Sequence, residues 1–180
     1  MASKLFVDEL EPTESSELTI TSLSNSSMPT GTVMNLVQNT DTGNASGTSS
    51  FFVTYCHCDI TVKAGTKIYI LGTPQLYFDT SGALIEAKLT YKTSAGRSAT
   101  AGDYTDILTY PRFLGGSGSS LELWTSYPIQ YLWTHGQSAG TVINVAVQVK
   151  SSSGTVANNN GTNAISIMTL QEIAGWAHLN

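Results

Sequence analysis

The sequence has few charged side chains and no long apolar run, and both absences exclude whole classes of protein. Charged residues make up 12% of the 180 positions, about half of the usual ~25%. No apolar stretch approaches the ~20 residues that a helix needs to cross a bilayer, so a membrane is not an expected partner. Asp8 and Glu9 stand where a signal peptide needs apolar residues, so the sequence does not support secretion by that route.

Basic residues and cysteines are also scarce. Eight Lys and Arg face 13 Asp and Glu, which gives a net charge of -5. With so few scattered cations there is no basic stripe to follow a phosphate backbone, and nucleic acid is not an expected partner. The two cysteines, Cys56 and Cys58, are too few and too close together to stabilise a fold through disulfide bonds.

Hydroxyl-bearing residues take the place of the missing charges. Serine and threonine fill 46 positions, and glycine fills 16. Apolar residues make up 41% of the chain, enough for a hydrophobic core. The length suits one domain, since a compact domain usually takes roughly 100–200 residues. A surface of hydroxyls and amides is typical of an all-β protein that is largely covered by neighbours.

Alternating apolar and polar residues predict β-strands from about residue 30 onward. Along 141–150, valine and isoleucine at odd positions alternate with polar residues, which is the period of a half-buried strand, and 85–92 alternates similarly. Turn-forming clusters separate the runs, and no helical period is sustained. The sequence therefore predicts an all-β antiparallel β-sandwich or jelly roll of eight to ten strands. The further predicted strands are 32–38, 51–62, 67–72, 74–79, 104–113, 121–133 and 164–173.

The first 24 residues differ from the rest in charge. They carry five acids and one lysine, whereas the remainder carries eight acids and seven bases. We predict an extended N-terminal docking arm, residues 1–27, followed by a β-sandwich domain, residues 28–180. A frayed, solvated terminus is the alternative. Trp176, a solitary large apolar residue near the C-terminus, is predicted to pack on a neighbouring subunit or a capsid. The predicted docking contacts of the arm are Leu5, Phe6, Val7, Leu18 and Ile20.

Two segments read as solvent-exposed loops. Residues 115–120 have the composition of a flexible linker, and residues 157–163 are rich in asparagine. An exposed recognition surface at these tips is the alternative interpretation.

The cluster Cys56-His57-Cys58 is the strongest candidate for a metal site. In a strand, alternate residues share a face, so both sulfurs point one way and His57 the other. A structural zinc site normally has four ligands, and no second cysteine pair exists, while His135 and His178 are solitary. We therefore expect two buried thiols that fill space, and no metal. A histidine cluster would arise only on a threefold axis of an oligomer.

Nucleophile and nucleotide motifs are absent from the sequence. Residues 115–119 fail the G-x-S-x-G pattern at the last position, and Leu121 stands where G-x-G-x-x-G needs a glycine. Glycosidase chemistry needs two carboxyls at a defined separation, which the sequence cannot place. We predict no catalytic residue, no cofactor and no enzyme activity. The available acids, which are normally just solvated at strand ends and turns, are Glu86, Asp103, Asp106 and Glu122.

Four aromatic residues crowd around Pro128, namely Trp124, Tyr127, Tyr131 and Trp133. Pro128 is expected to interrupt the strand with a bulge or a bend. Packing in the core or between subunits is one interpretation. A sugar-stacking platform is the other, because Tyr and Trp present an apolar body with a polar tip.

The order of several short motifs resembles one known family. Residues 28–38 (MPTGTVMNLVQ) are similar to the opening strand of short virion proteins of tailed bacteriophages, often phages of aquatic bacteria. The segments 59–64 (DITVKA), 67–71 (KIYIL), 142–154 (VINVAVQVKSSSG) and 165–174 (ISIMTLQEIA) follow in the family's order. The start MASKLFVD also resembles their leader. Each motif is short, and it is the ordered set, covering nearly the whole chain, that is specific.

Three departures from the family pattern are visible. Trp133 stands where an Asp is usual, Gln171 replaces the Met before Glu172, and residues 175–180 extend past the usual end. None of them interrupts a predicted strand. They affect which partner protein is expected and do not change the resemblance to virion proteins.

The resemblance implies a jelly-roll domain, commonly a homotrimer, in a virion assembled in the host cytoplasm. The expected role is a capsid decoration, or cement, protein that contacts itself and the major capsid protein or other virion proteins. The alternative is a short tail or head fibre, or a receptor-binding tip, that contacts host surface glycans through loops 93–103, 114–120 and 154–163. An enzyme acting on host polysaccharide is the weakest option.

Overall fold

The computed structural model describes residues 31–78, 83–110, 113–115, 123–159 and 164–174. Their regular structure is a set of β-strands and one 3-10 turn, Ala101–Asp103. The strands are β1 (Val33–Asp41), β2 (Ala45–Gly47), β3 (Phe52–Thr61), β4 (Lys67–Thr73), β5 (Gln75–Phe78), β6 (Ala83–Lys92), β7 (Thr105–Thr109), β8 (Phe113–Gly115), β9 (Leu123–Ser126), β10 (Ile129–Thr134), β11 (Val142–Ser151), β12 (Val156–Asn158) and β13 (Ser166–Ile173). Among these residues, no helix has the length and apolarity needed to cross a membrane.

Eight long strands form two antiparallel sheets. Sheet 1 has the order β1-β13-β4-β10, and sheet 2 has the order β3-β11-β6-β7, with the short β8 also pairing with β6. If the eight strands are renumbered in chain order, the sheets read 1-8-3-6 and 2-7-4-5. This is the strand order of a jelly roll, in which eight strands form two Greek keys and the two sheets pack face to face. The predicted all-β sandwich fold is therefore confirmed.

The core lies between the two sheets, because each strand directs alternate side chains inward. In β11 the inward residues are the odd-numbered ones from Ile143 to Val149, as the sequence pattern predicts. They pack with Cys56, Cys58 and Ile60 of β3 and with residues of sheet 1. The buried residues that sheet 1 contributes are Ile68, Ile70, Ile129, Met168 and Leu170.

A third sheet continues sheet 1, and each of its strands is next along the chain to the corresponding strand of sheet 1. Its strands are β2-β12-β5-β9, and β5 and β9 are separated from β4 and β10 by breaks that contain Pro74 and Pro128. Proline cannot donate a ladder hydrogen bond, so it marks the end of regular pairing. The interruption expected at Pro128 is present.

Three short strands, β2, β8 and β12, were not expected from the sequence, and the expectation of a solvent-exposed tip at 157–163 is wrong for its first part. Ala157, Asn158 and Asn159 are buried. The Asn158 side chain accepts a hydrogen bond from the Tyr55 backbone N–H (2.6 Å) and donates to the Gln75 carbonyl (2.9 Å). These contacts replace water and make burial of the amides acceptable. Residues 160–163 lie outside the described residues, as do 116–120.

Candidate interaction surfaces

The outer face of sheet 2 is covered by the β6–β7 loop, residues 93–104. Asp59 accepts hydrogen bonds from the Gly96 backbone N–H (2.8 Å) and from Asn144 (2.5 Å), and Tyr104 donates to Asn144 (2.7 Å). Gln148 donates to the backbone carbonyl of Ala101 at 3.1 Å. Asn144 is 0% exposed and Gln148 4%. The chain's own loop therefore supplies hydrogen-bond partners for Asn144 and Gln148, the two buried amides on this face.

Arg97 holds the same loop against the edge of the sheet. Its Nε donates to the Thr54 carbonyl at 3.0 Å, and a terminal guanidinium nitrogen donates to the Val53 carbonyl. The guanidinium carbon also lies 4.0 Å from the centroid of the Tyr55 ring, at cation–π distance. This loop is one of those expected to contact glycans in the receptor-binding alternative, and it is fastened to sheet 2.

The outer face of sheet 1, which we call the aliphatic face, has no such cover among the described residues. Leu36 is 58% exposed, Leu132 47% and Ile167 38%, while Val33 and Ile165 adjoin them at 50% and 42%. Among the outward residues of the four strands, Lys67 is the one charged side chain. The outward residues are Leu36, Gln38, Thr40, Lys67, Tyr69, Leu71, Thr73, Gln130, Leu132, Thr134, Ile167, Thr169, Gln171 and Ile173.

Two pairs of polar side chains on the aliphatic face bond to each other. Gln38 donates to the Thr169 hydroxyl across the β1–β13 pair at 3.0 Å, and Gln130 donates to the Tyr69 hydroxyl across β10 and β4. Amides and hydroxyls that are already paired lose little on burial. The face therefore combines five aliphatic side chains with polar ones that carry one charge, and another surface can cover it at small desolvation cost.

A second, aromatic surface, which we call the aromatic edge, lies between β10 of sheet 1 and the β6–β7 side of sheet 2. The Tyr91 and Trp133 ring centroids are 4.6 Å apart, which joins sheet 2 to sheet 1 at this end. Tyr110 and Tyr127 meet edge to face at 6.1 Å. With Tyr131, these side chains are partly buried and pack against the core. Burial, together with the neighbouring tyrosines, raises the pKa of Tyr110 to about 12.

The structure brings three of the four aromatics around Pro128 into this edge. Tyr131 and Trp133 point toward the core side of β10, whereas Leu132 between them belongs to the aliphatic face. Trp124 lies in β9, opposite Tyr77, and its side chain is outside the described part. The predicted docking residues Leu5, Phe6, Val7, Leu18, Ile20 and Trp176 are also outside the described residues.

Cys56 and Cys58 face the core, as the parity argument predicts. Both are buried and free, and burial raises their pKa values to about 12 and about 11. His57 points to the other side, where its Nε2 lies 3.6 Å from Asp41 and its Nδ1 lies 3.3 Å from the Asn144 amide. Burial lowers the pKa of His57, and the nearby aspartates oppose this only in part. In the described ranges, no three His, Cys, Asp or Glu side chains are placed to hold a metal.

The predicted acids are not brought together as a pair. Glu86 lies 2.6 Å from Lys150, and Asp106 lies 2.6 Å from Lys88. Asp103 accepts a hydrogen bond from the Ser98 hydroxyl. Glu122 lies outside the described residues.

A buried polar network that the sequence analysis did not single out joins three elements at one end of the sandwich. Glu172 of β13 is 0% exposed, and its Oε1 accepts from the Lys63 backbone N–H (2.5 Å) and the Thr66 hydroxyl (2.8 Å). The Thr66 hydroxyl also lies 3.0 Å from Nε2 of His135, so this histidine is not solitary. The parity of β13, with Met168 and Leu170 inward, was the available signal for Glu172.

Comparison with known proteins finds matches in solved structures alone. No family model matches the sequence, and no curated protein matches it. The Eiger TNF from S. frugiperda aligns with 76% of this chain and 96% of its own, at 12% identity and a TM-score of 0.35. The VP2 subviral particle of infectious bursal disease virus aligns with 79% of this chain at 12% identity and a TM-score of 0.38. T=1 particles derived from that virus align at 10% identity and a TM-score of 0.39.

The chain spans less than half the length of these capsid chains, 39% and 37%.

Proposed function

We propose that this chain is a non-enzymatic structural protein of a virus particle, which acts by binding other subunits. The observation that carries the proposal is the aliphatic face, where every large apolar residue exposed in the described ranges lies on or beside one sheet. Soluble monomers rarely expose contiguous apolar patches of more than a few hundred Å², and larger ones mark interaction sites. The low charge of the whole sequence agrees with a surface that is covered in an assembly.

The placement of two different apolar surfaces on one chain supports self-association. The aliphatic face and the aromatic edge share β10, which gives Leu132 to the first and Trp133 to the second. Contact between unlike surfaces of identical subunits is heterologous, and it forms a closed ring when the rotation closes. We infer that the face of one copy packs on the aromatic edge of the next, and that three copies close the ring.

The more specific proposal is a homotrimeric decoration protein on the head of a tailed bacteriophage. It rests on the resemblance of the ordered motifs, several of which form β1, β11 and β13. Decoration would add buried area across joints between major capsid subunits, so these contacts must break before the shell opens. A standard interface of roughly 1,600 Å² at each joint is sufficient for this role. The arm residues Leu5, Phe6 and Val7 would be the anchor.

A charge placed in the aliphatic face tests self-association. Leu132→Lys puts an ammonium into the proposed contact, whereas Thr61→Lys puts the same charge on an exposed position of β3, at the edge of sheet 2 opposite β7. Light scattering at one concentration should report a trimer for the wild type and for Thr61→Lys, and a monomer for Leu132→Lys. A wild-type monomer, or equal assembly of both variants, would contradict the subunit contact.

Binding to particles tests the virion role. Undecorated phage heads should take up the wild-type protein and reject a variant that lacks residues 2–24, although this variant still assembles. Density for the chain at the fibre tip, together with loop-dependent binding on a glycan array, would instead support the receptor-binding alternative and overturn decoration.

A further inference from the structure

The hydrogen bonds of the buried network assign one protonation state to His135. The backbone N–H of Gln137 donates to Nδ1 at 3.0 Å, so Nδ1 must act as an acceptor. The ring is therefore neutral with its proton on Nε2, which donates to the Thr66 hydroxyl at 3.0 Å. The Thr66 hydroxyl in turn donates a hydrogen bond to Glu172, at 2.8 Å, or to the Lys63 carbonyl, at 2.7 Å.

This arrangement holds two loops to β13. Thr66 and Lys63 belong to the turn between β3 and β4, and Gln137 belongs to the connection between β10 and β11. The second carboxylate oxygen of Glu172, Oε2, is buried without a hydrogen-bond partner. The network thus has donors for one oxygen alone, and its geometry depends on His135 remaining a donor at Nε2 and an acceptor at Nδ1.

We propose that the Glu172–Thr66–His135 network is an acid-sensitive latch, which opens when His135 takes up a proton and thereby weakens the subunit contact at the aromatic edge. A proton on Nδ1 removes the acceptor for the Gln137 N–H, and the connection that begins at His135 loses its anchor. The physical link to the edge is Trp133, whose ring lies 5.9 Å from the His135 ring and 4.6 Å from Tyr91. The effect of the latch on subunit association rests on the self-association proposed above.

The direction of the pH effect follows from burial. Desolvation lowers the pKa of His135 below its ordinary value of 6.5, and the charge of Glu172 opposes this only in part. The other groups around the network are the Thr66 hydroxyl and the backbone of Lys63 from the β3–β4 turn, the Gln137 N–H, and the Trp133 ring. A group with a lowered native pKa stabilises the folded state above pH 6.5, and this stabilisation is lost as the pH falls through the native pKa.

The first test observes the histidine directly in the full-length wild-type protein. Two-bond ¹⁵N–¹H spectra of histidine-labelled protein distinguish the two neutral tautomers and the charged ring. At pH 7.5 we expect His135 to be neutral with its proton on Nε2, and to titrate below pH 6.5. A proton on Nδ1, or a charged ring at pH 7.5, would overturn the latch whatever the oligomeric state.

The second test measures association between pH 7.5 and pH 5.0. The wild type should associate several-fold more weakly at pH 5.0 than at pH 7.5, because a proton on Nδ1 of His135 removes the acceptor for the Gln137 N–H. His135→Gln should lose this dependence, whereas His57→Gln should keep it. Thr66→Val, which removes the linking hydroxyl, should associate weakly at both pH values, and Thr66→Ser should behave as the wild type.

The outcomes separate the latch from the proposed function. Wild-type trimers that are equally stable at both pH values, or a His135→Gln variant that keeps the full pH dependence, would overturn the latch and leave the structural role intact. A wild-type monomer at pH 7.5 would overturn the subunit contact and its acid control together.

Discussion

The two outer faces of this sandwich have the same kind of strands but differ in what covers them. On sheet 2, Asn144 and Gln148 point outward and are nevertheless buried, because the β6–β7 loop lies over them. On sheet 1, Leu36 and Leu132 point outward and stay about half exposed. The covered face is polar and the exposed face is aliphatic, which is the reverse of the usual rule for a lone soluble domain.

This reversal supports the proposal that the exposed face of sheet 1 is covered in an assembly. A face intended for solvent is normally rich in charge, whereas the aliphatic face carries Lys67 alone among its outward residues. A face covered by a polar loop needs hydrogen-bonding partners, and sheet 2 supplies them with Asp59 and Asn144. The comparison therefore identifies sheet 1 as the side that meets other subunits in the proposed assembly.

The largest expected effect is the loss of thiol reactivity at the two cysteines on the inner side of sheet 2. Because burial raises the pKa of Cys56 from 9.0 to about 12, its thiolate fraction at pH 8 should fall about 1,000-fold. Cys58, at about 11, should show a decrease of about 100-fold. Alkylation with iodoacetamide followed by mass spectrometry should label both residues in urea and neither in the native protein. Rapid native labelling would mean that the inward register of β3 is wrong.

A second prediction concerns the hydrogen bonds between the covered face of sheet 2 and its loop. Asn144→Ala removes one partner of the Tyr104 hydroxyl and one donor to Asp59, and it leaves both groups under the loop. Asp59 still accepts from the Gly96 N–H and the Tyr104 hydroxyl from the Ser98 N–H, so each group loses one of its bonds. We expect the free energy of unfolding to fall by about 2 kcal/mol, since a buried polar group that loses a partner costs about 1–3 kcal/mol. Urea unfolding measures this change. The exposed control Thr105→Ala should stay within about 0.5 kcal/mol of the wild type, and an equal loss in the control would show that the loop contacts are not responsible.

The smallest change in stability is expected on the aliphatic face. In the Leu132→Lys background, which is expected to be monomeric, the pair Leu36→Thr and Ile167→Thr keeps strand-compatible side chains and removes exposed apolar surface. Urea unfolding should therefore show a change of less than about 1 kcal/mol in the free energy of unfolding. In the same strand as Ile167, Leu170 lies on the buried face, and Leu170→Thr should lower the free energy of unfolding by about 3 kcal/mol. A large loss in the exposed pair would show that these residues already serve the monomer.

The sequence pattern was sufficient for the fold where one face of a strand is buried and the other is polar. The alternation in 141–150 and 85–92 correctly predicts β11 and β6, and Pro128 marks the break between β9 and β10. Strands of three residues, such as β2 and β12, are too short to show a period. Asn158 and Asn159 look like turn residues in the sequence, and their burial depends on partners about 80 to 120 positions away.

The candidate surfaces were harder to predict, for a similar reason. Leu36 and Leu132 belong to strands that are distant in the chain, and the pairing order alone shows that both lie on one sheet. The fastening of the β6–β7 loop depends on Arg97 reaching the backbone of β3, which no local pattern indicates. The docking residues predicted in the arm remain predictions.

The pairing of β13 between β1 and β4 has a consequence for biosynthesis. Both neighbours leave the ribosome about 100 residues or more before Ser166–Ile173 can join them, so sheet 1 cannot be completed on the nascent chain until then. Pairing over such long sequence separations is slow, and it leaves strand edges open to wrong partners. We therefore expect the yield of native protein in a cell to depend on translation speed and on chaperones more than its final stability would suggest.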